Sequence, residues 1–359
     1  MKIGIYITDI TRGAGTERAV VALANHLVIK KHQVTIVSFA SKVGRPFYVV
    51  DPLVEICHLG LNAYVNKSVY YKWYSYLKNL LIAFSMIRQF PFDIIIGTSR
   101  NVNILALIYK RRKQKILGCE HFSYNSPLPK ILCLFRNTAY KLLDKLIVLT
   151  ETDCNYYKKK NIDTCVIPNA IPFEPMSCWD KKRNIVLAIG RHSKEKAFDK
   201  LLHIWSKVKC KEEGWLLYIV GDGILREENY KLVQNLHLEN SVIFVEPTLE
   251  IRKYYLIASI YAMTSLYEAL PMVLLEAKAN EIPLISYDCE TGPKVIVKNG
   301  KDGFLIPFDN EKEFVVKLDL LAKDIALRKN MGKRALEDSY NYTSQKIMLL
   351  WDGLLSKYE

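Results

Sequence analysis

The sequence lacks any apolar run long enough to cross a membrane, because none reaches the roughly 18 uninterrupted residues that a transmembrane helix needs. No signal peptide is recognised before the first predicted strand, so the protein is expected in the cytoplasm. The eight cysteines form no C-x-x-C pair and show no regular spacing, which argues against a zinc site and a disulfide framework. No Asp-x-Asp motif occurs either, and we predict no metal site.

The composition is that of a globular protein long enough for two domains. Half of the 359 residues are hydrophobic and a quarter are charged, which is ordinary for a soluble chain. A chain of this length usually divides into separate cores of roughly 170 residues each. We therefore expect two domains.

The charge is divided unevenly between the two halves of the chain. Residues 1–172 contain 24 Lys and Arg against 10 Asp and Glu, a net charge of +14. Residues 173–359 contain 27 of each kind and are neutral. Such asymmetry usually means that the basic half meets a polyanion or an anionic membrane surface. We expect a membrane surface and no nucleic acid.

Two glutamates, Glu268 and Glu276, stand eight residues apart around a proline and a short apolar run. Pro271 suits the first turn of a helix, so the sequence predicts a helix over 271–279, capped by Asn280 and followed by a buried strand. The N-terminus of a helix attracts anions, and carboxylates beside it can accept hydrogen bonds from hydroxyl groups. The stretch therefore suits a ligand that combines phosphate with hydroxyls. The alternative is that both glutamates are solvated side chains that gain only from the helix dipole.

The residues around the two glutamates resemble a known motif. The segments Ser-Leu-Tyr-Glu268 and Pro-Met-Val-Leu-Leu-Glu276-Ala, with Thr-Gly-Pro at 291–293, resemble the donor-site signature of family 4 glycosyltransferases. The resemblance covers most of the chain and is densest over 184–307. It implies a retaining glycosyltransferase of the B fold, in which two Rossmann-like α/β domains with doubly wound parallel sheets face a cleft.

The order of predicted elements agrees with such a fold. A strand over 2–8, a loop, a helix over 17–31 and a strand over 34–39 favour a parallel, doubly wound sheet. A linker over 169–180, which contains two prolines and directly follows a third at 168, ends the first domain. Three parts are predicted: an N-terminal acceptor and membrane-facing domain over 1–172, a C-terminal nucleotide-sugar donor domain over 173–340, and a last helix over 341–359 that returns to the first domain.

Two candidate site residues lie in the basic half. Gly15 belongs to a Gly-Ala-Gly-Thr-Glu loop before the first helix, which suits a phosphate or sugar, and a plain tight turn is the alternative. The family often carries Gly-Gly-x-Glu here, near the donor phosphates and acceptor, and Ala14 replaces one glycine. His121 stands at the carboxyl end of a predicted strand, where open α/β sheets place ligands. A structural histidine is the alternative, and the resemblance places His121 beside the donor sugar.

Residues 64–90 interleave tyrosine and tryptophan with lysine ahead of an apolar run. This composition is typical of a helix at a membrane interface, and a core helix with an aromatic face is the alternative. A basic cluster over 110–115 strengthens the argument for a surface. We expect peripheral binding at the inner face of the plasma membrane.

A loop at the start of the second half carries Gly190, Arg191 and Lys196. The two cations stand five residues apart and could converge on a diphosphate, although solvated charges are the alternative. The segment matches the family's Gly-Arg…Lys-Gly-Phe, with Ala197 in place of a glycine. Without a metal, the charge of the leaving group must be met by these cations and by helix N-terminal amides. Pro247 lies in a later loop, where family members usually hold the base.

The resemblance also implies roles for the two glutamates. Glu276 would hold the ribose hydroxyls of the nucleotide, and Glu268 would contact the donor sugar. Pro271, Met272 and Val273, at the start of the predicted helix, complete the expected donor site together with Gly15 and Gly190 in their loops.

The expected reaction moves a hexose or N-acetylhexosamine from a UDP-sugar to a hydroxyl group of a saccharide on polyprenyl diphosphate. The Thr-Gly-Pro variant resembles enzymes of bacterial surface polysaccharide assembly, such as those of O-antigen, capsule or lipopolysaccharide. Catalysis is assigned to Arg191, Lys196, His121 and Glu268, with no cofactor beyond the nucleotide-sugar co-substrate and no metal. Two alternatives stay open: a nucleotide-sugar epimerase of the same fold, and a non-catalytic protein that binds polyanions.

Overall fold

The computed structural model describes residues 1–40, 44–61, 90–125, 128–289 and 292–359. The aromatic segment predicted to lie at a membrane interface falls outside these residues, apart from Phe90. The chain forms two compact units, one made of Met1–Asn169 with Ser344–Glu359 and the other of Ala170–Thr343. The first unit thus ends three residues before the predicted bound at 172.

The first unit is built on a parallel sheet of seven strands in the order β3-β2-β1-β4-β5-β6-β7. The strands are β1 (Lys2–Ile7), β2 (Gln33–Ser38), β3 (Glu55–His58), β4 (Ile94–Gly97), β5 (Lys115–Glu120), β6 (Lys145–Val148) and β7 (Thr164–Val166). The helices that connect them include α1 (Gly15–Ile29), α2 (Arg100–Ile108), α3 (Lys130–Tyr140) and α4 (Glu151–Lys158).

The central strand β1 explains the character of this sheet. A strand of a parallel sheet that is covered on both faces reads as a continuous apolar run. Ile3, Ile5 and Tyr6 are fully buried, and Ile3 pairs in parallel register with Val34 of β2 and Ile94 of β4. Both faces of β1 therefore meet the core, as the predicted doubly wound sheet requires.

The second unit contains a parallel sheet of six strands in the order β10-β9-β8-β11-β12-β13. The strands are β8 (Ile185–Ile189), β9 (Leu216–Val220), β10 (Val242–Val245), β11 (Ile260–Met263), β12 (Leu284–Asp288) and β13 (Gly303–Pro307). The helices are α5 (Phe198–Lys207), α6 (Arg226–Asn235), α7 (Arg252–Ile257), α8 (Met272–Lys278), α9 (Gly292–Ile296), α10 (Glu311–Lys323) and α11 (Ile325–Ser339). Its core gathers the inward faces of these strands around the fully buried Trp205. The prediction of two parallel α/β domains is confirmed.

The last helix, α12 (Ser344–Leu355), belongs to the first unit. Its Asp352 accepts a hydrogen bond from Nε2 of His26 at 2.7 Å and forms an ion pair with Lys30 at 3.0 Å, so it is tied to the end of α1. Trp351 and Leu354 are buried beside these contacts. The chain therefore leaves the first unit at Asn169 and comes back to it after 174 residues of the second unit.

The helix around Glu276, predicted over 271–279, is one residue shorter at each end and has Ala279 in its C-cap position. Pro271 precedes the helix as its cap, and α8 begins at Met272 because the backbone of Pro271 is extended. At the other end the side chain of Asn280 still caps the helix, since its Nδ2 donates to the carbonyl oxygen of Glu276 at 2.8 Å. Within the described residues, no helix is both long enough and apolar enough to span a membrane.

Candidate active site

The second sheet reverses its strand order between β8 and β11, which are hydrogen-bonded neighbours. Open α/β sheets bind ligands outside the carboxyl ends of the strands at such a point. The loop after β8 carries Gly190 to Lys196, and the loop after β11 carries Glu268. The topology therefore brings the two candidate loops to one edge of one sheet.

The loop after β8 is held tightly against the loop after β9. The N–H of Gly190 donates to the carbonyl oxygen of Val220 at 3.0 Å, and the N–H of His192 donates to that of Asp222 at 2.9 Å. Gly221 has a φ of +146°, and a Cβ added there would lie 1.9 Å from the carbonyl oxygen of Gly190. Only glycine permits this approach of the two backbones.

Lys196 and Glu268 form an ion pair across the two loops. The Nζ atom of Lys196 donates to Oε1 of Glu268 at 2.5 Å, and the hydroxyl of Ser265 donates to the same oxygen at 2.8 Å. The side chains are 23% and 14% exposed, so the pair is largely shielded from water. A Cβ on Gly190 would lie 3.3 Å from the methylene carbons of Lys196, so a larger residue at this position would crowd the lysine side chain.

Backbone contacts join the same two loops and fix their separation. The N–H of Leu266 donates to the carbonyl oxygen of Glu195 at 2.8 Å, and the hydroxyl of Thr264 donates to that of Ala197 at 3.0 Å. Ala197 has a φ of +48°, a left-handed conformation that favours glycine. The family pattern has a glycine at this position, and glycine adopts a left-handed conformation at a lower cost than alanine.

Arg191 lies on the exposed rim of the same loop. Its Cγ atom would be 2.9 Å from a Cβ on Gly223, so the stem of the arginine crosses the glycine turn after β9. Lys196 is turned to Glu268, as described above. Convergence of the two cations on one diphosphate stays a prediction.

Glu276 is almost fully buried, with 3% of the residue exposed. Its Oε2 atom accepts a hydrogen bond at 2.9 Å from the hydroxyl of Tyr255, a fully buried residue of α7. The ring of Tyr255 stacks on Tyr261 of β11, whose hydroxyl accepts from the N–H of Ile189 at the end of β8. The alternative of a solvated Glu276 is therefore wrong, because a buried carboxylate needs such partners. Tyr255 was missed because it lies 21 residues before Glu276, with no motif to join them.

The residues around the start of α8 pack on the loop that carries Glu268. Pro271 is buried, while Met272 and Val273 are half-buried. The N–H of Gly292 donates to the carbonyl oxygen of Glu268 at 3.2 Å, and a Cβ on Gly292 would lie 2.5 Å from Cδ of Pro271. The glycine of the Thr-Gly-Pro segment thus allows α9 to approach this loop closely.

Pro247 follows β10 and is exposed. It lies in the loop where Thr248 accepts a hydrogen bond on its hydroxyl from the N–H of Glu250 at 3.1 Å. This turn leaves the proline ring at the surface of the second unit. Its role beside a nucleotide base stays a prediction.

Gly15 and Glu17 lie at the start of α1 in the first unit. A Cβ on Gly15 would meet no atom within 4 Å, so the space beside this glycine is open. Glu17 is 7% exposed, and its burial raises the pKa of the carboxyl group. The sequence pattern singled out the loop, but burial of Glu17 is visible only in the structure.

His121 comes directly after β5, as predicted, with a buried acidic neighbour. Its side chain is half-buried, and burial lowers its pKa to about 4, so the imidazole is neutral at pH 7. Among the described residues, Nδ1 of His121 has no hydrogen-bond partner and is buried. The neighbouring Glu120 is 3% exposed and accepts from the hydroxyl of Tyr140 at 2.6 Å. Burial raises the pKa of Glu120.

The described residues contain no group of three or more His, Cys, Asp or Glu side chains placed to hold a metal ion. In the second unit, the structure brings together Gly190, Lys196 and Glu268, with Glu276 linked to the end of β8 through two tyrosines. Gly15 and His121 belong to the first unit.

Two family descriptions match the chain in succession. Residues 13–174 match the family described as Glycosyltransferase Family 4, and residues 175–338 match the family described as Glycosyl transferases group 1. The amylovoran biosynthesis glycosyltransferase AmsD of Erwinia amylovora is 33% identical over 99% of both chains. A Campylobacter jejuni alpha-1,4-N-acetyl-D-galactosaminyltransferase, named for a GalNAc-GalNAc-diNAcBac-PP-undecaprenol substrate, is 29% identical over 99% of both chains.

Solved structures show the same fold. TarM of Staphylococcus aureus, in complex with fondaparinux, alpha-GlcNAc-glycerol and UDP, superposes with a TM-score of 0.81 at 14% identity over 99% of both chains. HepE of Anabaena, in complex with UDP-glucose, gives a TM-score of 0.75 at 16% identity over 99% of this chain and all of that one. The chain has the glycosyltransferase B fold and belongs to the family 4 glycosyltransferases.

Proposed function

We propose that this glycosyltransferase moves a hexosyl or N-acetylhexosaminyl group from a UDP-sugar to a hydroxyl of a lipid-linked saccharide, with retention of anomeric configuration. The product would enter a bacterial surface polysaccharide such as O-antigen, capsule or lipopolysaccharide. The observation that carries the proposal is the pair of glutamates at the switch point of the second sheet. One is buried and held by Tyr255, and the other is paired with Lys196.

The donor is proposed from the chemistry of this edge and from the neighbours. TarM and HepE are described with UDP or a UDP-sugar, and the residues of this chain suit the same class of molecule. Glu276 would accept hydrogen bonds from the two ribose hydroxyls, since a carboxylate is an acceptor only. Glu268 would contact the donor sugar, and Pro247 would lie beside the uracil.

The leaving group sets the electrostatic requirement of the reaction. When the bond between C1 of the sugar and the phosphate oxygen breaks, negative charge grows on the diphosphate. Arg191 and Lys196 would stabilise that charge, and charge-assisted hydrogen bonds of this kind are about twice as strong as neutral ones. The Lys196–Glu268 pair keeps the ammonium group in place before the donor arrives.

Retention requires that the new bond to C1 forms on the face from which the phosphate leaves. The acceptor oxygen would attack C1 on that face, and its proton would pass to the departing phosphate oxygen. The resemblance would give Gly15 a place near the phosphates and a neutral His121 a place beside the donor sugar. Neutral imidazole offers one acceptor nitrogen and one donor N–H for sugar hydroxyls.

The proposal names no metal cofactor, in keeping with the absence of an Asp-x-Asp motif from the sequence. Activity should therefore persist in excess EDTA, measured as UDP release after the chelator is added and again after Mg²⁺ or Mn²⁺ is restored. A strict requirement for Mn²⁺ would contradict this part of the proposal.

The acceptor is proposed from the relatives. The C. jejuni transferase is named for an undecaprenyl diphosphate saccharide, and AmsD for amylovoran biosynthesis. Such an acceptor lies in a membrane, so the protein would act peripherally at the inner face of the plasma membrane. The basic first half, with its net charge of +14, suits an anionic bilayer.

A donor screen tests the proposal directly. UDP release is measured across the common UDP-sugars, with and without a polyprenyl diphosphate saccharide, and the product is analysed for its anomeric configuration. Acceptor-dependent release with an α-linked product from an α-linked donor supports the proposal. Release of UDP without an acceptor would favour the epimerase alternative, and failure to bind UDP would favour the polyanion-binding one.

A further inference from the structure

Helix α3 of the first unit, Lys130–Tyr140, presents apolar side chains to the solvent and buries an arginine. The usual amphipathic helix does the reverse, since its apolar stripe faces the core. Arg136 is 1% exposed and Tyr140 is fully buried, four residues apart on the inward face. The orientation of this helix is therefore opposite to what its apolar pattern predicts.

The inward face is fixed by specific contacts. The guanidinium of Arg136 lies 5.3 Å from the centroid of the Tyr157 ring, and its Nε donates to the side-chain oxygen of Asn137 at 3.2 Å. The hydroxyl of Tyr140 donates to buried Glu120 at 2.6 Å. Rotation of the helix to bury its apolar side would break this charged network, so the apolar side stays outside.

The outward side forms one stripe. Ile131 is 76% exposed, Leu134 68%, Phe135 55% and, just past the helix end, Leu142 66%. Spacings of three and four residues place Ile131, Leu134 and Phe135 on one face of the helix, and Leu142 adds a fourth exposed apolar side chain just beyond its end. A patch of large apolar side chains on one exposed helix marks an interaction surface.

Charge indicates what this stripe meets. Residues 130–141 contain no acidic residue, and the exposed Lys130 and Lys141 stand at the two ends of the stripe. The first unit as a whole holds 26 Lys and Arg against 12 Asp and Glu, which gives it the entire net charge of +14. An apolar strip bordered by lysines suits the boundary between acyl chains and anionic headgroups. A second copy of the chain would instead bring two strongly positive units together.

We propose that α3 is a membrane-docking helix, whose apolar stripe enters the acyl boundary of an anionic bilayer while its terminal lysines contact lipid phosphates. The inference deepens the proposed function, on which it rests for the lipid-linked acceptor. It assigns the docking to residues 130–142, a segment distinct from the aromatic segment 64–90 that the sequence indicated.

The test is vesicle co-sedimentation of the full chain with a matched pair of variants. One carries Ile131→Ser, Leu134→Ser and Phe135→Ser. The control carries Val316→Ser, Leu320→Ser and Ile325→Ser, three exposed apolar residues of the second unit. With phosphatidylglycerol-containing vesicles, the α3 variant should lose about tenfold or more of its partition coefficient, and the control should bind like the unchanged protein. Equal loss in both variants, or none in the α3 variant, would overturn the proposal.

Insertion itself is read by fluorescence. Phe135→Trp should show a blue-shifted emission on addition of anionic vesicles and quenching by brominated acyl chains. Leu349→Trp, an exposed position of α12, is the control and should show neither change. A tryptophan at 135 that remains solvent-exposed on the vesicle would also overturn the proposal.

Two further readings separate this inference from the proposed function. Calorimetry with UDP should give the same affinity for the α3 variant and the unchanged protein, because the three substituted side chains are exposed and none of them is assigned to the donor site. Vesicle binding through α3 with no transferase activity toward any UDP-sugar would leave the inference standing and defeat the proposed function. Concentration-dependent dimers that disappear in the α3 variant, with no vesicle binding, would assign the stripe to a second copy of the chain.

Discussion

The candidate donor site rests on carboxylates whose environments differ. Glu276 is buried and accepts a hydrogen bond from the Tyr255 hydroxyl, whereas Glu268 is partly exposed and accepts hydrogen bonds from Lys196 and Ser265. A buried carboxylate that is oriented by a fixed donor suits the recognition of an invariant part of a ligand, such as ribose. A carboxylate that is paired with a lysine suits the part at which charge changes during the reaction. We therefore propose different chemical tasks for the two glutamates of one motif.

The first prediction concerns the nucleotide. Glu276→Ala should weaken UDP binding by about 1.5–3 kcal/mol, because a charged acceptor of two hydroxyls is lost. Tyr255→Phe keeps the carboxylate but removes the 2.9 Å bond that orients it, and should cost about 0.5–1.5 kcal/mol. Calorimetry with UDP measures both. Unchanged affinity in a folded Glu276→Ala variant would remove the central assignment.

The second prediction concerns the leaving group. Arg191→Ala and Lys196→Ala should each lower turnover by about 100–1,000-fold and raise the donor Michaelis constant far less, because the charge they meet develops in the transition state. Arg191→Lys should not restore full activity, since the planar fork of the guanidinium is lost. Steady-state kinetics with the preferred donor supply both constants.

Lys194→Ala is the matched control for these variants, because Lys194 is an exposed cation of the same loop. It should keep near-normal turnover. Variants of Arg191 and Lys196 that lose only donor affinity would show that the two cations bind without assisting bond cleavage, and the mechanism would need other groups.

At the scale of elements, α8 is held by a buried ion network that no sequence motif predicts. Lys278 is fully buried, and its ammonium lies 2.9 Å from Asp302 and 2.7 Å from Asp338. It also donates to the carbonyl oxygen of Ile296 at the end of α9 at 2.5 Å. One lysine thus joins α8, α9 and α11, and it stands two residues after Glu276 in the chain.

The third prediction follows from this network. Lys278→Ala should lower the free energy of unfolding by about 3–5 kcal/mol, since it leaves buried carboxylates without their cation. Lys329→Ala is the control, because Lys329 lies in α11 with Asp338 but outside the network, and it should change the free energy of unfolding little. Urea unfolding measures both, and a stability equal to that of the unchanged protein would contradict the network's importance.

The pH dependence of the network has a definite sign. Burial alone would raise the pKa of Asp338, but Lys278 and Lys298 outweigh it and lower that pKa. A carboxyl group whose pKa is lowered by folding stabilises the fold above its unfolded pKa, near 3.9. That contribution is lost as the pH falls through the lower folded value. Asp338→Asn should therefore reduce the steepness of acid unfolding below about pH 4.

The sequence predicted the local elements well and the distant contacts poorly. The strand predicted over 2–8 starts with β1 and ends one residue after it, and the helix predicted over 17–31 differs from α1 by two residues at each end, because apolar periodicity is a local signal. The partners of Glu276 and Lys278 come from segments 18 to 60 residues away, which periodicity does not register. Helix α3 shows the same limit, since its apolar stripe predicts an inward face and the structure turns it outward.

At the scale of the whole molecule, charge and fold are divided in the same way. The basic unit holds His121 and the exposed stripe of α3, and the neutral unit holds the two glutamates and their cations. Such a division suits an enzyme whose two substrates differ in kind, one bound to a membrane and one dissolved. The C-terminal segment Ser344–Glu359, which belongs to the basic unit, contains two lysines and two acidic residues and leaves that unit's net charge unchanged.

The last prediction follows from this division. Binding of the full chain to vesicles should rise with the fraction of anionic lipid and fall as salt is added, because each engaged Lys or Arg contributes about 1 kcal/mol within a screening length. The apolar stripe of α3 is insensitive to screening, so a residual, salt-resistant binding should remain in the unchanged protein and vanish with Ile131→Ser, Leu134→Ser and Phe135→Ser.

Lys130→Gln with Lys141→Gln should do the opposite and reduce only the salt-sensitive part. Sedimentation with neutral and anionic vesicles over a tenfold range of salt separates the two contributions. Equal partition to both kinds of vesicle would show that the net charge of +14 serves another polyanion.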